Sequence, residues 1–189
     1  MTKPAVTELL DLTEQLCAIP SVSGTEGALA DFVEQWLREH AGSLEIQRLA
    51  HNVVVRTDAG AGPRVVLGGH LDTVPANGNQ DPKRHGTTLH GLGSADMKGG
   101  LAVLLHLARD LAAHPGRGAA TLVFYEGEEV ADEHNGLRFL FTEHAELVAG
   151  HLAILLEPTG GWLEAGCQGT VHVRATFTGK RAHTARPWM

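Results

Sequence analysis

The chain is short of several things, and each shortage closes off a class of function. Cysteine occurs only twice in 189 residues, at Cys17 and Cys167, with no C-x-x-C spacing. That argues against a disulfide framework or a thiolate zinc site and for a reducing cytoplasm. Lysine and arginine number 15 against 22 acidic residues, a formal net charge of -7, and no basic cluster offsets it. A binder of phosphate backbones is therefore not expected. No apolar run is long enough to cross a bilayer, and Met1 to Leu9 lack the basic and then apolar segments of an export signal. The expectation is a cytoplasmic protein that engages neither nucleic acid nor membrane. Histidine is plentiful, at 12 residues, but most are scattered, as at His40, His51, His106, His114 and His134. Solvated surface positions are expected for those.

With 43% hydrophobic and 20% charged residues, the chain has the composition of an ordinary globular protein. Leu9, Leu12, Leu16 and Ile19, after Thr7, outline a first helix. Ser23 and Glu26 stand at capping-box spacing before Leu29, Phe32, Val33, Trp36 and Leu37, which share one face of a second. A third helix begins near Met97, buries Leu101, Leu104, Leu105, Ala108 and Leu111, and stops at Pro115-Gly116; a fourth covers Asn135 to His144. Between the helices lie Val65 to Leu67, Thr121 to Tyr125 and Leu152 to Leu156. These runs are too short for helices and too uniformly apolar for a one-faced sheet, so they read as central strands covered on both sides. Leu44 to Val55 supplies two flanking strands. The alternation predicts an α/β fold with a central mixed, largely parallel sheet flanked by helices. From Gly169 onward, Val171, Val173, Ala175 and Phe177 alternate with His172, Arg174, Thr176 and Thr178, the pattern of a sheet wet on one face. Residues 1–168 are thus read as one domain, with a second, α+β domain starting at 169–189.

Imidazole and carboxylate side chains gather where the apolar runs end. Gly69-His70-Leu71-Asp72-Thr73-Val74-Pro75 closes the first run. Side chains at i and i+2 of a strand share a face, so one of His70 and Asp72 can bind a metal while the other orients it. Ser94-Ala95-Asp96-Met97-Lys98-Gly99-Gly100 opens the third helix, Glu126-Gly127-Glu128-Glu129 follows the second run, and Leu155-Leu156-Glu157-Pro158-Thr159 closes the third. Ligand sites of open α/β sheets form at the carboxyl edge of the strands. Five carboxylates on that rim, Asp72, Asp96, Glu128, Glu129 and Glu157, would repel one another unless cations lay among them. One imidazole with carboxylates and no thiolate suits zinc, with cobalt or manganese as substitutes. Singly, each motif has a plainer reading: a strand end with a capping aspartate, a solvated loop pair, a turn after a strand. Their joint placement favours the metal site. Gly91-Leu92-Gly93-Ser94-Ala95-Asp96 lacks the third glycine of a dinucleotide loop and the Gly-Lys-Ser/Thr ending of a P-loop.

Four blocks in this order, between Gly69 and Trp188, resemble the co-catalytic zinc amidohydrolases and peptidases, the family of aminoacylase, carboxypeptidase G, acetylornithine deacetylase and succinyl-diaminopimelate desuccinylase. The run Glu164-Ala165-Gly166-Cys167-Gln168-Gly169 and the ending Gly179 to Trp188, with His183 and Arg186, resemble the desuccinylase branch most. The resemblance implies two zinc ions bridged by Asp96, with His70 and Glu157 completing one site and Glu129 contributing to the other. It also implies that Asp72 holds the His70 ring, that Glu128 is the general base, and that a cis peptide follows Asp96. His183 is implied to enter a neighbouring subunit's active site in a homodimer, and Arg186 to hold a substrate carboxylate. The implied substrate is a small N-acyl amino acid, foremost N-succinyl-LL-2,6-diaminopimelate, with acetylornithine deacetylation or a related carboxypeptidase activity as the alternative. A truncated, non-catalytic binding module is the reading from another class. Family members continue well past the equivalent of Met189, to a late histidine that completes the second metal site. The chain is accordingly expected to be an amino-terminal portion, poorly active alone.

Overall fold

A computed structural model describes residues 6–57, 62–166, 171, 173–186 and 188. In chain order the helices are α1 (Val6–Ala18), α2 (Gly27–His40), α3 (Gly99–Ala113), α4 (Gly136–Glu143) and α5 (Ala145–Val148). The strands are β1 (Glu45–Leu49), β2 (Asn52–Arg56), β3 (Arg64–His70), β4 (Lys83–His85), β5 (Thr88–His90), β6 (Ala119–Tyr125) and β7 (Leu152–Leu155). Five strands form one sheet in the order β1-β2-β6-β3-β7, while β4 and β5 make a separate hairpin. The strands β6, β3 and β7 run parallel, with His70 opposite Tyr125 and Gly68 opposite Leu155. The pair β1-β2 and the pair β2-β6 are antiparallel. The mixed sheet expected from the alternation of runs and helices is therefore present.

Both faces of the sheet are covered. Leu12 and Leu16 of α1, Leu29, Val33 and Leu37 of α2, and Leu101, Leu104, Leu105 and Ala108 of α3 pack on Val53, Val55, Leu122 and Phe124. The alternate residues Val54, Val66, Val123 and Tyr125 face Leu140, Leu147 and Val148 of α4 and α5. Period-two alternation of apolar side chains on both faces explains why β6 is buried along its whole length.

Three local expectations change, and a fourth feature is new. First, β7 lies at the edge of the sheet, and Leu152, Ile154 and Leu155 are exposed. It is not a central strand, because no further strand pairs with its outer side among the described residues. Second, Ser23 does not cap α2, which starts at Gly27 with no side-chain cap; its hydroxyl turns to Asp72, while Glu26 Oε1 accepts from Gly24 N–H at 3.0 Å. A buried carboxylate outcompetes the helix end for that donor. Third, His106 is buried rather than solvated, tilted against the Trp36 ring with 6.0 Å between centroids. Fourth, the hairpin of β4 and β5 has no counterpart in the sequence reading. Beyond β7, Val171, Val173 and Phe177 are exposed, Phe177 at 94%, and pair with no strand among the described residues. Cys167, Gly169 and His172 lie outside the described residues.

One close approach brings the segment after β7 onto α3. A Cβ at Gly100, in the first turn of α3, would lie 2.6 Å from the Leu156 carbonyl oxygen and 2.7 Å from Met97 Cε. Helix propensity alone would make Gly100→Ala stabilising by about 0.5–1 kcal/mol. The contact reverses the sign, and a loss of about 1–3 kcal/mol is expected in urea melts. An unchanged or higher midpoint would mean that the segment leading to Glu157 does not sit against α3.

Candidate metal centre

His70 is the last residue of β3 and is 1% exposed. Its Nδ1 lies 3.0 Å from the Asp72 carbonyl oxygen and 3.4 Å from Asp72 Oδ1. A carbonyl can only accept, so Nδ1 carries a proton and donates, and Nε2 faces the rim. There Nε2 is 2.9 Å from Asp96 Oδ1 and 4.0 Å from Glu157 Oε2. Burial works against a charged ring, but hydrogen bonds to the Asp72 and Asp96 carboxylates outweigh it and raise the pKa to about 9. Tyr125, opposite His70 on β6, is buried with its ring edge-on to the imidazole, 6.2 Å between centroids. Burial, and then the carboxylates of Glu157, Glu128, Asp72 and Asp96, push its phenol well above the usual range.

Asp72 is fully buried and accepts from several segments of the chain at once. Ser23 Oγ donates to Oδ2 at 2.7 Å, the Glu129 N–H to Oδ2 at 3.0 Å, and the Glu128 N–H to Oδ1 at 2.9 Å. Burial alone would raise this carboxyl's pKa; the hydrogen bonds from His70, Ser23 and the two amides lower it to about 2.

The loop carrying Glu128 and Glu129 is closed at its base. Asn52 Nδ2 donates to Glu126 Oε1 at 2.9 Å, and Asn52 Oδ1 accepts from the Glu126 N–H at 3.1 Å. The Gly136 N–H donates to the Glu126 carbonyl at 2.8 Å. Gly127 has φ 68, and a Cβ there would stand 2.2 Å from the His134 carbonyl oxygen. Only glycine fits that position.

Donor atoms of His70, Asp96 and Glu129 all lie within 4.8 Å of one another. Asp96 sits on the kinked turn Ser94–Lys98 that leads into α3, with a cis peptide joining it to Met97 as the resemblance implies. Burial, followed by repulsion from Asp96 and Glu128, raises the Glu129 pKa. At Glu157, burial and the neighbouring carboxylates raise it while His70 opposes. Carboxylates that repel one another beside an imidazole nitrogen fit a divalent cation, and the nitrogen and oxygen donors fit zinc.

Six of the eight expected residues, His70, Asp72, Asp96, Glu128, Glu129 and Glu157, therefore gather at one rim. The other two do not. His183 and Arg186 are exposed, in a turn held by local bonds: Arg186 N–H to the His183 carbonyl at 2.9 Å, and Ala185 N–H to His183 Nδ1 at 3.1 Å. No hydrogen bond or ion pair joins either to the rim among the described residues. Sequence reasoning missed Ser23, which it assigned to a helix cap, and Asn52. A polar residue opening the run Asn52-Val53-Val54-Val55 was the available signal for the latter.

The fold and this rim define a metallopeptidase-like α/β sandwich. Residues 66–186 match the family described as Peptidase family M20/M25/M40, and the chain belongs to that family. It is 46% identical over 180 residues to the succinyl-diaminopimelate desuccinylase of Corynebacterium glutamicum, covering 94% of this chain and 49% of that protein. It is 48% identical over 180 residues to a putative succinyl-diaminopimelate desuccinylase of Mycobacterium tuberculosis, covering 95% of this chain and 50% of that one. The chain thus spans about half the length of these curated relatives. Among solved structures, a tripeptidase from Staphylococcus aureus superposes with a TM-score of 0.65 at 22% identity, over 81% of this chain and 43% of that one, and shows the same fold.

The depressed pKa of Asp72 has a definite sign. A carboxyl with a lowered folded-state pKa contributes stability that is complete above about pH 4 and is lost as pH falls through about 2. In urea melts of metal-stripped protein, Asp72→Asn should be less stable than wild type by about 2 kcal/mol near neutrality, and the gap should close between pH 4 and pH 2. A gap independent of pH would mean that the charge of Asp72 is not what those donors serve.

Proposed function

We propose that the chain carries the metal centre of a dinuclear zinc amidohydrolase acting on N-succinyl-LL-2,6-diaminopimelate, yielding succinate and LL-2,6-diaminopimelate. The observation that carries this reading is the convergence of His70, Asp96 and Glu129 donor atoms within 4.8 Å of one another. The 46% identity to a desuccinylase supports the choice of acyl group. In this reading His70, Asp96, Glu129 and Glu157 would hold the two ions, with His70 and Glu157 serving one site, Glu129 the other, and Asp96 common to both. Cobalt or manganese can replace zinc on the same donors.

When bound, paired zinc ions lower the pKa of water and polarise the scissile carbonyl. The protein's own groups do the rest. Asp72 fixes the His70 ring with Nε2 outward, as orienting carboxylates do for ligating imidazoles. Glu128 has its N–H bound by Asp72 at 2.9 Å, and its carboxylate has no partner among the described residues. It takes a proton from the attacking water and delivers it to the amide nitrogen as the C–N bond breaks, so the acyl carbon leaves as succinate and the nitrogen as a free amine. His183, supplied by the second copy in a homodimer, donates to the oxyanion, and Arg186 binds a substrate carboxylate. Cys17 is buried and unpaired, which suits a cytoplasmic enzyme. No helix among the described residues is long and apolar enough to cross a membrane.

The test uses a full-length enzyme bearing this segment, reloaded with zinc. It should release primary amine from the succinyl substrate faster than from N-acetylornithine; the reverse order would reassign the acyl group, and no release from any N-acyl amino acid would overturn the reading. Glu128→Ala should lose about 100- to 10,000-fold in turnover and keep its zinc by metal analysis. Loss of zinc in that variant would instead make Glu128 a ligand.

A further inference from the structure

The connection between α1 and α2 touches two of the segments that form the rim. Val22 forms an isolated parallel bridge with Thr73. The Thr73 N–H donates to the Ser21 carbonyl at 2.9 Å, the Ser23 N–H to the Thr73 carbonyl at 3.1 Å, and Ser21 Oγ to the Leu71 carbonyl at 2.8 Å. Ser23 Oγ then reaches Asp72 Oδ2 at 2.7 Å. At the start of the same connection, Lys98 Nζ donates to the carbonyls of Leu16 at 3.1 Å and Ile19 at 2.8 Å. Lys98 is 2% exposed, although it lies only two residues from Asp96, whose side chain is 54% exposed.

A lysine ammonium is costly to bury, and apolar packing of similar volume often stabilises a fold at least as well as a buried charge. Bulk stability therefore does not account for Lys98. Its two bonds do: both acceptors lie at the carbonyl end of α1, where a cation is favoured, and they pin the foot of the turn that presents Asp96. The Lys98 N–H closes that turn on the Gly93 carbonyl at 2.7 Å.

We propose that the α1–α2 connection is a positioning brace for the metal centre, in which Ser23 fixes the carboxylate that orients His70 and Lys98 fixes the turn that presents Asp96. The inference rests on the metal reading above and deepens it by assigning these two residues. Neither touches the ions; each acts through a neighbour.

The experiment titrates the purified chain with cobalt, read by its visible absorption and by competition with zinc, well below the thermal midpoint of each variant. Ser23→Ala and Lys98→Met should each weaken binding by about 10- to 100-fold and alter the cobalt spectrum. Ser23→Thr, which keeps the hydroxyl, should restore both. A merely structural role would lower the melting temperature of the metal-free protein and leave affinity and spectrum as in wild type, and that result overturns the proposal. Should Lys98→Met fail to fold, the Ser23→Ala and Ser23→Thr pair decides. Wild-type protein that takes up neither cobalt nor zinc overturns the metal reading, and the brace with it.

Discussion

A carboxylate removed from water must find donors, and leaving its oxygens unsatisfied costs several kcal/mol. Asp72 is such a group, fully buried two residues past the end of β3. Its donors come from the imidazole two residues back, from a hydroxyl between α1 and α2, and from two consecutive amides of the loop after β6. None of these segments is near the others in sequence except His70. Satisfying one buried group thus requires three distant stretches of chain to meet at a single point. The centre is assembled as a by-product of that requirement, and its geometry is tied to the stability of the fold.

The outer carboxylates obey the opposite logic. Asp96, Glu128, Glu129 and Glu157 lie at the rim with far fewer donors than Asp72, the His70 Nε2 beside Asp96 Oδ1 being the exception, and the raised pKa values of Glu129 and Glu157 register the repulsion among them. A sequence that satisfies one acid so completely and leaves four in mutual conflict has put the conflict where a ligand can resolve it. A divalent cation placed among them would add an attraction to each carboxylate that outweighs their mutual repulsion. An ion bound at this rim would therefore stabilise the folded chain.

Much of this was legible because it depends on short periods. The apolar runs at β3 and β6, the stripe from Leu101 to Leu111 on α3 and the i, i+2 relation of His70 and Asp72 are local patterns set by strand and helix geometry. What was not legible depends on distance or on weak local signals. The Ser23–Asp72 bond joins residues 49 apart, and the local spacing to Glu26 pointed to a helix cap. The hairpin of β4 and β5 is three charged or imidazole-bearing residues turned back through Gly86 at φ 61 onto Thr88-Leu89-His90, with too few apolar side chains to show alternation. The burial of His106 follows from the tertiary position of Trp36, which no window around residue 106 contains. The edge position of β7 is a matter of strand order, about which an apolar run of four residues says nothing.

Holding Glu128 and Glu129 by their backbones has a chemical consequence. Their N–H groups bind opposite oxygens of one carboxylate, so the peptide planes are fixed while both side chains stay free of the anchoring. Asn52, buried at the start of β2, secures the base of the same loop through the backbone and side chain of Glu126. Position is therefore set by Asp72 and Asn52 rather than by the carboxylate oxygens of Glu128 and Glu129. Two adjacent acids on a fixed backbone can diverge in role, one turned to a cation and one left with an unengaged carboxylate for proton transfer. Had the side chains themselves been used to hold the loop, their oxygens would have been engaged and their basicity lowered, as happens at Asp72.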